Sequence, residues 1–174
     1  MNDNTDAMAY KNLVIREFLP EDAVSLALVA ERAFCSDRCD SNINCIECSE
    51  EYSNPEWYCG LNADAGKCMV VLKDDEIIGG VVVAEKDDEN WVDCIFIDPD
   101  YQQRGIGSFA INKVENEFYP ESKVWKIDSP VCSRGSHEFY MKNGFIKEGP
   151  LNDDWLLFIK FKTLSGNINS GRVS

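Results

Sequence analysis

The part of the chain best equipped for chemistry is Asp98–Ser108, DPDYQQRGIGS. An acidic turn around Pro99 leads to Gln102, Gln103 and Arg104, then to Gly105 and Gly107 with Ile106 between them and Ser108 behind. Apolar CIFI precedes this stretch, and FAINKVENEF after it has helical spacing. Glycine backbone at a helix start lets successive N–H groups converge on an anion, and the helix dipole adds partial positive charge. Gln102, Gln103 and Arg104 stand just ahead as further donors. A tight strand-to-helix turn holding nothing would use the same residues.

A pyrophosphate is the anion this pattern suits, and two familiar ways of holding one are excluded. Gly105-x-Gly107-x-x-Ala110, with Asp128 ending a later strand, matches the dinucleotide fingerprint. In that fold the glycines follow the strand directly, whereas the seven residues Asp98–Arg104 intervene here after Ile97. The strands upstream also read as an antiparallel meander, and too little chain follows for a doubly wound sheet. A Walker A loop is excluded because no Gly-Lys-Ser/Thr follows.

The elements that must position this turn are legible. KNLVIREFL alternates and is β-branched, so it reads as a first strand. Pro20-Glu21-Asp22 opens a helix with Ala23, Leu26, Ala27, Ala30 and Phe34 at helical spacing. One short helix is expected near Glu50–Tyr58. Strands follow at 68–73, 77–85 and 91–97, joined by acidic turns at Asp74-Asp75 and Asp87-Asp88-Glu89, connections short enough to make antiparallel neighbours. A helix runs from Gly105 to about Phe118, KVWKID is a strand and RGSHEFYMKN a helix stopped by Gly144. GFIKEG and DWLLFIKFK are two more strands. The order predicts an α+β fold with helices on both faces of a mixed, mostly antiparallel sheet.

Composition bounds the function. The 174 residues, 44% hydrophobic, suit one globular domain over 1–174 with its core at 11–162 and flexible ends at 1–10 and 164–174. No apolar run approaches ~20 residues, so no membrane span is expected, and the acidic start MNDNTDAMAY lacks a signal peptide's pattern. A cytoplasmic protein is expected. Seventeen basic against 31 acidic residues leave a net charge of −14, which argues against nucleic acid and favours a cationic partner. The segment 35–66 is Cys-rich and variable in character. Within it Cys35, Cys39, Cys45 and Cys48 resemble halves of a tetrathiolate zinc site, although the spacer between the pairs is short; ordinary reduced thiols in a loop are the alternative, and a disulfide framework is not expected. No metal is assigned.

On these residues the chain resembles a known family. IFIDPDYQQRGIGSFAINKVE is similar to motif A of the GCN5-related N-acetyltransferases, whose core Gln/Arg-x-x-Gly-x-Gly/Ala stands here as Gln102–Gly107. SHEFYMKNGFIKEG resembles their motif B, a helix carrying a Tyr followed shortly by Gly-Phe on a strand. The resemblance implies a sheet splayed between its fourth and fifth strands, with acetyl-coenzyme A in the gap as acetyl donor. It implies that backbone of Ile95, Phe96 and Ile97 pairs with the pantetheine arm and that Gln102–Gly107, with Ser108, hold the pyrophosphate. Where the family often has Asn seven residues before the Tyr, this chain has Ser133, a shorter polar contact.

Acetyl transfer to an amine is aminolysis of a thioester, which calls for a base at the amine and an acid at the departing sulfur. The resemblance places Tyr140 as that acid. Asp93, read on the same alternating face as Ile95 and Ile97, and Asp128, ending the next strand, are the two candidate bases, and either is also readable as a solvated strand-end carboxylate. His137, the only histidine, reads as an exposed helix residue. The acceptor is expected to be a primary amine of a small molecule or a peptide. Glu47, Glu50, Glu51 and Glu56 with Trp57 and Tyr58 are expected to line its site. A non-catalytic cofactor-binding or metal-sensing module on the same fold is the alternative function, and a homodimer is left open.

Overall fold

The protein is described here by a computed structural model covering residues 10–36, 50–61, 66–86 and 89–162. Among the described residues seven strands form one sheet: β1 (Leu13–Glu17), β2 (Lys67–Lys73), β3 (Glu76–Lys86), β4 (Glu89–Ile97), β5 (Val124–Pro130), β6 (Ile146–Pro150) and β7 (Trp155–Phe161). Their order across the sheet is β1-β2-β3-β4-β5-β7-β6. Every pairing is antiparallel except β4 with β5. The helices are α1 (Ala23–Ser36), α2 (Pro55–Gly60), α3 (Ile106–Lys113) and α4 (Arg134–Lys142).

β2, KCMVVLK, explains why the sheet has two cores. All five of its central residues are buried, because both of its faces are covered. Met69 and Val71 join the cluster under α3 and α4, whereas Cys68, Val70 and Leu72 join the one under α1 and α2. Asp74 and Asp75 both take left-handed backbone (φ 50° and 67°), the conformation that a two-residue antiparallel turn requires. Pro20–Asp22 is a 3-10 turn in front of α1. There the Asp22 carboxylate accepts from Leu19 N–H (2.8 Å) and from both terminal nitrogens of Arg16 (2.7 and 2.9 Å), which hold it below the usual range.

Two departures from the expected pattern matter. The helix expected to continue to Phe118 changes at Val114–Phe118 into a π-turn. That turn buries Glu115, whose carboxylate meets the Lys160 ammonium of β7 at 2.6 Å. Burial pushes the Glu115 carboxyl up, and Lys160 only partly counters it. The second departure is in β4. Val82 faces Cys94 while Val83 faces Val92, so the register shifts at Asp93, which forms a β-bulge.

β4 and β5 are in register at only two pairs, Asn90 with Trp125 and Trp91 with Lys126. Beyond them β5 stays paired to β7 along its whole length, and β4 stays paired to β3. The strands therefore part, as the resemblance implied, and the edge of β4 from Cys94 to Ile97 faces a gap. A parallel pair without hydrogen bonds is an unfilled ladder, and something extended can fill it.

Candidate active site

The turn after β4 is built by its acids. Asp98, nearly buried, donates its N–H to Ile78 O (2.8 Å), and its side chain accepts from Asp100 N–H (2.9 Å). Arg32 of α1 clamps both acids, at 3.0 Å to Asp98 and 2.8 Å to Asp100. Nothing in the sequence pairs Arg32 with an acid 68 residues away, and no reading of the motif alone includes it. Gln102 donates its side-chain amide to Ile97 O (2.9 Å). Arg104 donates to Asp100 O (2.7 Å) and lies over the Tyr101 ring. These side chains, expected ahead of the helix as donors, are hydrogen-bonded within the turn itself. What the turn then presents is the backbone of α3's first residues, whose N–H groups have no carbonyl one turn earlier. Gly105 caps α3 with φ +79°, a conformation that any side chain strains.

A cleft of about 430 Å³ opens between this turn, the free edge of β4 and α4. Ile95, Phe96, Ile97, Gln102, Gln103, Gly105, Gly107, Ser108 and Tyr140 line it, so most of the expected cofactor-binding residues share one wall with the expected acid. Arg104 and Ser133 do not line it, and Ile106 is buried in the core beneath. Ala33 and Phe34 at the end of α1, and Ser136, Glu138, Phe139 and Lys142 of α4, line it as well and carried no signal in the sequence. Gly107 is where the two walls meet. A Cβ there would stand 3.1 Å from the Phe139 ring.

The motif around Tyr140 has a physical cause. Gly144, with φ +88°, ends α4 in a Schellman arrangement: Phe145 N–H donates to Tyr140 O and Gly144 N–H to Met141 O, both at 3.1 Å. The Phe145 ring then packs against Tyr140 (centroids 6.2 Å), as does Phe158 of β7 (5.5 Å). Tyr, Gly and Phe at this spacing are thus the helix stop that seats the Tyr140 ring in the cleft wall. A methyl at Gly144 meets nothing nearer than Lys160 at 3.5 Å, so Gly144→Ala isolates the backbone penalty. We expect a loss of about 1–2 kcal/mol, read as a thermal midpoint lower by about 2–8 °C.

His137 differs from the exposed residue expected. It is half-buried, its Nε2 lies 2.9 Å from Pro130 O and its ring packs on Phe158, so it fastens α4 to the end of β5.

Neither candidate base lines the cleft. The bulge breaks the alternation expected to put Asp93 on one face with Ile95 and Ile97. Tyr52 donates its hydroxyl to the Asp93 carboxylate (3.3 Å), and Tyr52 belongs to the α1–α2 side. Burial holds the Tyr52 phenol far above its ordinary range, so it remains a donor. Asp128 is half-buried on β5 opposite Leu157, beyond the point where β4 and β5 part.

Among the expected acceptor residues, Tyr58 is 1% exposed and donates to Tyr52 O (2.8 Å), so it is core and offers no face to a ligand. Trp57 stands edge-on to both Tyr52 and Tyr58, while Glu50, Glu51 and Glu56 are exposed. Glu47, Cys39, Cys45 and Cys48 lie outside the described residues, and among those described no group of three metal-binding side chains occurs. Cys35, Cys59, Cys68 and Cys94 are free thiols. Cys132 is disulfide-bonded, although no disulfide framework was expected.

Among the described residues the sheet parts at its single parallel pair, with a glycine turn at the mouth of the gap. The Acetyltransferase (GNAT) family matches residues 32–145, and the chain belongs to that family. The PaiA N-acetyltransferase of Thermoplasma acidophilum, solved in complex with coenzyme A, has a similar fold: TM-score 0.73 at 17% identity, covering 86% of this chain and 99% of that one. The ribosomal-protein-S18-alanine N-acetyltransferase of Escherichia coli is similar at TM-score 0.64 and 13% identity, covering 90% of this chain and 97% of that one. The uncharacterized protein YrkN of Bacillus subtilis (strain 168) is 30% identical over 88 residues, 49% of this chain and 47% of YrkN. The match thus spans about half the length of that curated relative. Among the described residues no helix is long and apolar enough to cross a membrane.

Proposed function

We propose that the protein is a cytoplasmic N-acetyltransferase that moves an acetyl group directly from acetyl-CoA to a primary amine of a small molecule or a peptide. The observation that carries this is the cleft itself, which joins an unfilled strand edge, bare helix-start backbone and a buried tyrosine in one continuous wall. The residues present fit the coenzyme. The edge of Ile95–Ile97 matches an amide-bearing pantetheine arm, and the first amides of α3 at Ile106–Ser108, with Gly105 and Gly107 in the cleft lining, match a pyrophosphate. Bound acetyl-CoA supplies a thioester, whose acetyl carbon accepts an amine.

The chain's own residues do the rest. Holding amine and acetyl group in one cleft removes much of the entropic barrier. Tyr140 Oη, kept in place by Phe145 and Phe158, holds a proton for the departing sulfur. Asp93 and Asp128 stand on the two strands that part around the cleft, and one of them, working through water, takes the proton from the incoming ammonium. Phe34 and Ala33 close the acceptor end, and the chain's net charge of −14 attracts a cation.

The test is acetyl-CoA turnover against a panel of amines, alcohols and acids at rising ionic strength. A cationic amine should be the preferred acceptor, and its kcat/KM should fall with salt as screening shortens the field. A salt-independent kcat/KM, or a preference for anionic or hydroxyl acceptors, rejects the cationic acceptor. Absence of coenzyme binding rejects the enzyme.

A further inference from the structure

The residues just before β1 are tied down although nothing in the site as described uses them. Asn12 donates its side-chain amide to the Asp74 carboxylate (2.6 Å), and Asp74 N–H returns to Asn12 O (3.2 Å). Lys73 donates its ammonium to Lys11 O (2.5 Å), and Leu13 N–H donates to Tyr10 O (3.1 Å). The end of β2 and the β2–β3 turn thus anchor two consecutive residues of this segment, and β1 holds the third. Tyr10, at its end, crosses to α3 and stacks on Phe109 (centroids 5.1 Å, planes 24° apart). Its hydroxyl lies against the bare Cα of Gly105, where a methyl group would come within 2.5 Å of it.

We propose that Tyr10 is a positioning residue for the anion-binding turn, a strut between the β2–β3 turn and the start of α3 that holds Gly105 in its left-handed conformation. The inference rests on the reading of that turn as the coenzyme's pyrophosphate site. Its physical content is preorganisation. A glycine at φ +79° has alternatives of comparable energy, and the Tyr10 hydroxyl set against its outer side removes the room for them. Gly105 is then glycine for two reasons, the backbone angle and the space taken by Tyr10.

The experiment is a double-mutant cycle of Tyr10→Ala and Gly105→Ala, with Tyr10→Phe alongside, read by calorimetric titration of coenzyme A and by thermal unfolding of the unliganded proteins. Tyr10→Ala should raise the coenzyme Kd by about 3- to 10-fold, in the range typical of coupled contacting residues. The KM for acetyl-CoA should rise with it, while kcat and the amine KM hold. Tyr10→Phe keeps the stack on Phe109 but removes the hydroxyl that lies against Gly105, so its Kd should fall between those of wild type and Tyr10→Ala. In the Tyr10→Ala background, Gly105→Ala should cost less in both Kd and midpoint, because no hydroxyl then has to be displaced. Independent effects in both readouts, or a Tyr10→Phe that binds coenzyme as tightly as wild type, overturn the strut. Wild-type protein that binds no coenzyme overturns the site reading instead, and the unfolding data on the four unliganded proteins still decide whether Tyr10 and Gly105 are coupled.

Discussion

Tyr140→Phe should lower kcat by about 10- to 10⁴-fold while leaving coenzyme affinity largely unchanged. The substitution removes one oxygen and keeps the ring. The Schellman stop, the Phe145 contact and the Phe158 contact all survive, so the helix and the cleft wall stay in place. A tyrosine that only filled the core would lose little on becoming phenylalanine. Steady-state kinetics across pH, with calorimetric titration of coenzyme A on the same protein, separate the two roles. An unchanged kcat at every pH returns Tyr140 to packing. The same profiles taken on Asp93→Asn and Asp128→Asn should differ from one another, and the true base is the one whose loss abolishes the acidic limb.

Gly107→Val should weaken coenzyme binding by about tenfold or more, equivalent to about 1.4 kcal/mol or above. Two mechanisms combine there. The side chain obstructs the amides of the first turn, and its Cβ alone would already press on the Phe139 ring at 3.1 Å. Phe139 belongs to α4, so the ring that must give way is part of the opposite wall of the cleft. Circular dichroism and a thermal scan establish that the variant is folded, and titration calorimetry reads its affinity. An unchanged Kd with a normal fold would remove the coenzyme from this turn.

Local features of the chain were legible because local physics sets them. Alternating β-branched residues, glycines at turns and caps, and the paired Asp74-Asp75 turn act over a few residues, and the strands expected at 68–73, 77–85 and 91–97 stand at 67–73, 76–86 and 89–97. The π-turn at Val114–Phe118 was not legible, because Glu115 is drawn inward by Lys160, 45 residues further along the chain. Nor was the burial of Tyr58, which depends on α2 folding back over the far face of the sheet.

The sequence by itself determined the elements, their order, the anion-suited turn and, through its resemblance to the family, the parted sheet, since each is written in residue types at short spacing. Only the tertiary structure decided what braces the turn and where the candidate bases stand. Arg32, Tyr10, Phe34 and Phe139 reach the cleft or its turn from two different helices and from the segment before β1, and no short-range pattern records such a meeting. The bulge at Asp93 is the plainest case. A single extra residue in the register leaves β4 a strand by every local criterion, yet it reverses the alternation on which the placement of a carboxylate depends.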